Sequence, residues 1–455
     1  LIACLRASQY SSTHFAISLI AGINLYSQTT HYKITLWIHQ IEDSTLYIHG
    51  SYGEKENLLL DSLQIQPDGS FILEGDYRQG IVVLSNAHQQ FFSFILDKNP
   101  VFTIDMYPYG YFEVKGCEEN NKYLEYQKRN KELKQLTRQY EKEIKEFPEE
   151  KDSLIDLIQK AKTTFSQYQT TFFKQYPNNL MTSLLTSMQN PKPNPKYFYQ
   201  GKLIKGKELE YAYDIRKRYW ENFNFQDQRL LSTPYFYKKF KTYIDKITMQ
   251  DSDSVYQAME DFVNIANQKG GSLYSQYILD LYLKKLPLMP FSFNENLYVQ
   301  IVEKLINKGK TPWLSISEIE THNINIDAIK PFLPGKKFPN INSLYDIEAK
   351  YTIIHFHSST CESCKKNIED LIEFYEKDSK KYNTKIISIN VGEKTKEPMY
   401  PWTNLEIDPQ ILKQKYGIDI IRTPEIYILD SEKKILNKTV IYSHIKKAIE
   451  DWERF

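Results

Sequence analysis

Apolar and polar residues alternate in the early part of the chain. In His31–Ile38, Ile34, Leu36 and Ile38 share one face, and that period of two predicts a half-buried strand. Similar short runs follow at Thr45–His49, Leu58–Gln66, Ser70–Glu74, Ile81–Leu84, Phe91–Leu96, Val101–Met106 and Tyr111–Lys115. Turn signals such as Pro67-Asp68-Gly69 and Lys98-Asn99-Pro100 separate them. Many short strands at about ten-residue spacing predict an all-β antiparallel sandwich or barrel over residues 29–117. After 118 the period lengthens. Leu133, Leu136, Tyr140 and Ile144 form a stripe at spacings of three and four, so Asn120–Glu146 and Glu149–Tyr176 read as antiparallel helices broken at Phe147-Pro148. The run Asn190 to Pro195 reads as a loop, and more helices follow between Gly206 and Lys308. Residues 118–330 thus read as an all-α region whose charge runs are solvated helix faces.

From the loop Pro331–Pro339 onward the pattern becomes α/β. Tyr351–His357 and Lys385–Val391 read as buried strands. The stretch from Glu362 to about Asp378 reads as a helix with Ile368, Leu371, Ile372 and Tyr375 on one face. A short helix Gln410–Tyr416 ends at Gly417, Glu425–Leu429 and Lys434–Val440 form a hairpin, and a last helix closes the chain. Near the start, Phe15–Tyr26 is an apolar run too short to cross a bilayer as a helix, which needs about 20 residues. It predicts a signal-peptide leader over residues 1–28, cleaved near Ser27-Gln28, and hence export. The alternatives are a buried first element, or a lipid anchor at Cys4 in Leu1-Ile2-Ala3-Cys4.

Composition narrows the function classes. At about 150 residues per domain, 455 residues make roughly three domains, in keeping with divisions at 29–117, 118–330 and 331–455. The 58 basic and 57 acidic residues balance, which gives no whole-molecule reason to expect nucleic acid or an anionic membrane as partner. Four cysteines are too few for a disulfide scaffold. Cys117 stands alone and reads as packing, whereas Cys361 and Cys364 are three apart.

Cys361-Glu362-Ser363-Cys364 follows a predicted strand and opens a predicted helix. There the first thiol meets unpaired backbone N–H groups that favour thiolate, and the second lies within reach of a disulfide. That is the arrangement for exchange through a mixed disulfide. CxxC is also half of a zinc site, and His355 and His357, on one face of the preceding strand, could join it in a copper- or zinc-handling site. No second CxxC or HxxxH supports that alternative. In a third reading the pair is a structural disulfide of a binding or scaffolding protein.

About 60 residues later, Arg422-Thr423-Pro424-Glu425 precedes a predicted strand. With the CxxC, this makes Pro331–Phe455 resemble the thioredoxin superfamily, and within it the TlpA-like extracytoplasmic thiol–disulfide oxidoreductases. The resemblance implies a thioredoxin-like fold. It also implies a cis peptide at Pro424, substrate docking on Thr423, Cys361 as nucleophile and Cys364 as resolving thiol. Residues 29–130, through Leu60-Asp61-Ser62, Asp68-Gly69-Ser70-Phe71 and Val114 to Asn120, resemble a β-rich domain of unknown function that precedes such modules in Bacteroidetes. Tyr219–Thr233 and Thr311–Leu314 resemble a helical region found in the same context. The whole implies a cell-envelope enzyme acting on protein disulfides, with a membrane thiol as electron donor and no bound cofactor or metal. Self-association through the β or helical domains is left open.

Departures from the family are informative. Thr360 replaces the usual Trp, His355 stands where a buried acid assists proton transfer, and His357 stands where a Trp is usual. Glu362 beside Cys361 should raise the thiol pKa, with Lys365 and Lys366 opposing it. A destabilised thiolate makes a more reducing pair, so a reductase is expected. Peroxiredoxins carry Pro and Thr or Ser where Ile354 and Ser358 stand, and the missing Pro argues against a peroxidase.

Overall fold

The alternating runs form eight strands: β1 (Thr29–Ile38), β2 (Thr45–Tyr52), β3 (Lys55–Gln64), β4 (Phe71–Arg78), β5 (Gly80–Ser85), β6 (Gln90–Leu96), β7 (Val101–Tyr107) and β8 (Tyr111–Lys115). This computed structural model describes residues 29–39, 41–107, 111–393, 400–420 and 422–454. The expected leader, residues 1–28 with Cys4, lies outside the described residues. The strands make two four-stranded sheets, ordered β4-β1-β7-β8 and β3-β2-β5-β6. Every strand supplies side chains to one apolar cluster, among them Ile34, Leu36, Ile48, Leu63, Phe71, Leu84, Phe94, Ile104 and Val114. One pairing departs from the antiparallel expectation: β1 runs parallel to β7, with Lys33 opposite Val101. Several strands lie between them in sequence, which gives the chain the length a parallel return requires.

Two long helices follow, α1 (Glu118–Glu146) and α2 (Lys151–Gln175), then α3 (Leu180–Met188), α4 (Glu208–Arg218) and α5 (Tyr235–Thr242). A two-residue hairpin, β9 (Phe198–Tyr199) with β10 (Lys202–Leu203), interrupts the expected all-α texture. Trp220 is buried here among Phe223, Phe225, Phe240 and Phe262. The chain forms two compact units. One comprises residues up to Thr248 with Phe262–Ser275, the other Met249–Asp261 with Gln276–Phe455. The helices α6 (Ser252–Gln268) and α7 (Ser272–Lys285) contribute to both.

The second unit continues with α8 (Ser292–Ile301) and α9 (Ile316–Ile329). Ser315 and Glu318 start α9 with a reciprocal capping box. A five-stranded sheet follows, ordered β13-β12-β11-β14-β15. Its strands are β11 (Tyr351–His357), β12 (Thr384–Asn390), β13 (Thr403–Glu406), β14 (Glu425–Leu429) and β15 (Ile435–Thr439). β11 is parallel to β12 and antiparallel to β14, and all seven of its residues are buried. Helices α10 (Glu362–Asn367), α11 (Glu369–Lys377), α12 (Pro409–Tyr416) and α13 (His444–Trp452) complete the unit. One apolar cluster on the sheet takes Ile354, Phe356, Tyr427 and Leu429, and the other takes Ile353, Ile426 and Ile428 with Leu371, Phe374, Ile445 and Ile449 of the helices. The single helix expected from Glu362 to Asp378 is two, joined at Ile368, and β13 is a strand that the sequence pattern did not reveal. Among the described residues no helix is long and apolar enough to cross a membrane.

Gly80 starts β5 with φ +159, and a Cβ there would sit 2.5 Å from the Ser232 carbonyl oxygen. Gly80→Ala should therefore destabilise the protein by about 1–3 kcal/mol, through backbone strain and displacement of the Ser232 segment. Urea unfolding of wild type and variant checks this, and an unchanged midpoint would contradict it.

Candidate functional site

Two chain segments converge because β11 and β14 pair antiparallel with Phe356 opposite Glu425. That register sets the exit of β11, which leads to Cys361, beside the Thr423–Pro424 segment that leads into β14. The Thr423–Pro424 peptide is cis. Cys361 caps α10, and its Sγ accepts the Cys364 backbone N–H at 3.1 Å. Cys361 Sγ also lies 3.3 Å from the Thr423 carbonyl oxygen and 3.2 Å from Ser363 Oγ. Cys361 and Cys364 form a disulfide with a Cα–Cα distance of 5.3 Å. Cys361 is partly exposed whereas Cys364 is 1% exposed. The asymmetry gives one sulfur that an incoming disulfide can reach and one that it cannot. α10 is only six residues long, so the stabilisation available to a Cys361 thiolate is the local N–H of Cys364 rather than a long helix's dipole.

Glu362 changes the electrostatic expectation. Its side chain is 90% exposed and lies 3.7 Å from Lys365. Water and the neighbouring ammonium screen its charge. Lys366 is exposed as well.

His355 and His357 stack under this region of the sheet, with ring centroids 5.0 Å apart. Both are buried, at 0% and 2% exposure. His355 Nδ1 is 2.8 Å from Ser388 Oγ, and its Nε2 is 2.8 Å from the Tyr442 hydroxyl. Trp402 Nε1 donates to the same Ser388 Oγ at 2.7 Å. The indole can only donate, so Ser388 Oγ accepts from Trp402 and bridges it to His355. Tyr400 packs edge-on to His357 and stacks on Trp402. His357 Nδ1 has no hydrogen-bond partner among the described residues. Burial pushes the His355 imidazole well below the ordinary histidine range, with His357 adding to the effect, and burial holds His357 at about 4. Both rings are therefore neutral near pH 7. Both His355 nitrogens are engaged, and among the described residues no group of three or more His, Cys, Asp or Glu is placed to hold a metal. The metal alternative thus gains no geometry.

Ser388, Tyr400, Trp402 and Tyr442 were not singled out from sequence, since ordinary polar and aromatic residues far apart in the chain carry no spacing signal. Gly392 was also missed. A Cβ there would meet Ser358 Oγ at 2.2 Å, so the loop after β12 lies against the segment leading to Cys361. Ser359 Oγ donates to the Glu393 carbonyl in the same contact.

The family described as a domain of unknown function, DUF5106, matches residues 202–330. No curated protein matches the chain. Among solved structures, the chain is similar to a thioredoxin-like protein from Bacteroides caccae, with 21% identity, a TM-score of 0.45, and coverage of 58% of this chain and 98% of that one. It is also similar to a domain of a possible thiol-disulfide isomerase from Cytophaga hutchinsonii, with 28% identity, a TM-score of 0.23, and coverage of 27% and 95%. A third is the thioredoxin domain of a thiol-disulfide oxidoreductase from Bacteroides vulgatus, with 20% identity, a TM-score of 0.21, and coverage of 24% and 83%.

The neutral histidines make stability depend on pH. Their protons bind the unfolded chain first, so stability is complete above about pH 6.5 and is lost as pH falls toward about 4. Each histidine contributes a slope of at most about 1.4 kcal/mol per pH unit. His357→Phe should flatten the loss between pH 7 and pH 5 in chemical unfolding. An equal loss in wild type and variant would contradict the buried neutral assignment.

Proposed function

We propose that the chain is a cell-envelope thiol–disulfide oxidoreductase that reduces protein disulfides through Cys361 and Cys364. The observation that carries this reading is a reachable sulfur bonded to a buried one, 3.3 Å from the carbonyl that precedes a cis proline. In the reduced protein, the Cys361 thiolate attacks a substrate sulfur, and one substrate thiolate leaves and takes a proton. Cys364 then gives up its proton and attacks Cys361 Sγ. The Cys361–Cys364 disulfide forms, and the second substrate thiolate leaves and is protonated. Two electrons and two protons pass to the substrate, and an external dithiol in the membrane returns the pair to its reduced form.

Thr423 docks the substrate chain through its backbone, beside Pro424. The reductase direction rests on His355 and His357, the buried groups that stand behind the cysteines on β11. The two buried imidazoles are neutral, and a pair whose thiolate lacks cationic support from them is reducing. Glu362 is exposed and contributes little to that direction. The reaction needs no bound organic cofactor or metal. The envelope location rests on the apolar run Phe15–Tyr26.

Cys361→Ser should lower the rate of insulin disulfide reduction by at least about a hundred-fold. Cys364→Ser should instead accumulate a mixed disulfide with insulin, visible on non-reducing gels. Wild-type turnover by the Cys361 variant would overturn the proposal.

A further inference from the structure

Glu425 directly follows the cis Thr423–Pro424 peptide, and its side chain is 4% exposed. It accepts a hydrogen bond from the Tyr427 hydroxyl at 2.6 Å and lies 3.0 Å from Lys438 Nζ on β15. Lys438 is itself 8% exposed and donates to Glu295 Oε1 at 2.7 Å. Glu295 is 7% exposed and belongs to α8, more than a hundred residues earlier. Its Oε2 has no hydrogen-bond partner among the described residues. A second contact runs in parallel. β15 is the edge strand of the sheet, and its Lys438 N–H donates to Ser292 Oγ at the start of α8, at 2.6 Å. Charges so deeply buried are costly to desolvate, and apolar residues of similar size would usually serve packing as well. Two carboxylates sharing one ammonium behind the docking segment therefore call for a role beyond cohesion. Glu295 also falls inside the 202–330 segment that matches the family of unknown function, outside the sheet that carries the cysteines.

We propose that Glu295, Lys438 and Glu425 are positioning residues through which α8 holds the Thr423–Pro424 segment in register with Cys361, so that substrate docking depends on the helical region. This rests on the reading of Cys361 and Cys364 as the redox pair. The relay acts on binding. Glu295 fixes Lys438, Lys438 fixes Glu425, and Glu425 fixes the backbone against which the substrate chain lies before its disulfide reaches Cys361. Exchange between the sulfurs is unaffected once the substrate is seated.

The test is steady-state reduction of a disulfide-bonded protein such as insulin by the full chain, comparing wild type, Glu295→Gln, Glu295→Asp and Cys361→Ser. Glutamine keeps the shape and removes the charge on Lys438's partner, so the variant should fold, as a thermal melt would verify. Glu295→Gln should raise KM by about five-fold or more, with kcat within about two-fold of wild type. Glu295→Asp should recover part of the KM. A small disulfide with no peptide backbone, such as hydroxyethyl disulfide, should be reduced equally by wild type and Glu295→Gln. An unchanged insulin KM in folded Glu295→Gln would overturn the relay, as would an equal loss with both substrates. If Cys361→Ser retained wild-type turnover, the redox reading itself would fail. Lys438→Met, which strands two buried carboxylates, provides a second arm. If it folds, it should show a KM increase at least as large, and wild-type KM there would also overturn the relay.

Discussion

The site depends on the register between β11 and β14. With Phe356 opposite Glu425, the loop out of β11 meets the segment into β14, and Cys361 Sγ comes to rest 3.3 Å from the Thr423 carbonyl. A slip of one residue would turn every side chain of β14 to the other face. It would expel Tyr427 and Leu429 from one apolar cluster and Ile426 and Ile428 from the other. Both faces of this sheet are covered, so the cost of such a slip is large, and core packing brings the cysteine-bearing segment and the Thr423–Pro424 segment to the same end of the sheet.

The same alternation separates two polar groups. His355 and His357 lie on one face of β11 with the cluster that includes Leu371 and Phe374, whereas Glu425 and Tyr427 share the opposite face with Phe338 and Phe356. On the first face the polar groups are neutral and joined by hydrogen bonds through Ser388, Trp402 and Tyr442. On the second, the neutral Tyr427 hydroxyl donates to Glu425, which pairs with Lys438 and through it is tied to α8. The sheet thus carries a neutral network and an ionic one on its two sides, with the Thr423–Pro424 segment at their common end.

Local patterns disclosed much of this. Alternation in residues 29–115 marks the strands, the three–four stripe marks the long helices, and the CxxC and Thr423-Pro424 motifs are two segments that the fold brings together. His355 and His357 were recognisable as neighbours on one strand face. What stayed hidden depends on distant partners. Nothing local distinguishes Ser388 or Trp402 from any other polar or aromatic residue. Nothing local marks Glu295 either, although it is buried against Lys438. The parallel β1–β7 pair was hidden for the same reason, since its partners are separated by most of a domain. The exposure of Glu362, which a sequence does not display, limits how far its charge acts.

The proposed function requires the Cys361–Cys364 disulfide to open and close in use. Its reduction potential, measured by equilibration with glutathione or dithiothreitol buffers, tests that requirement most directly. The expected value lies in the range of thioredoxin-type dithiols, about −270 to −200 mV. A value well below about −300 mV would mark a structural disulfide and contradict the account.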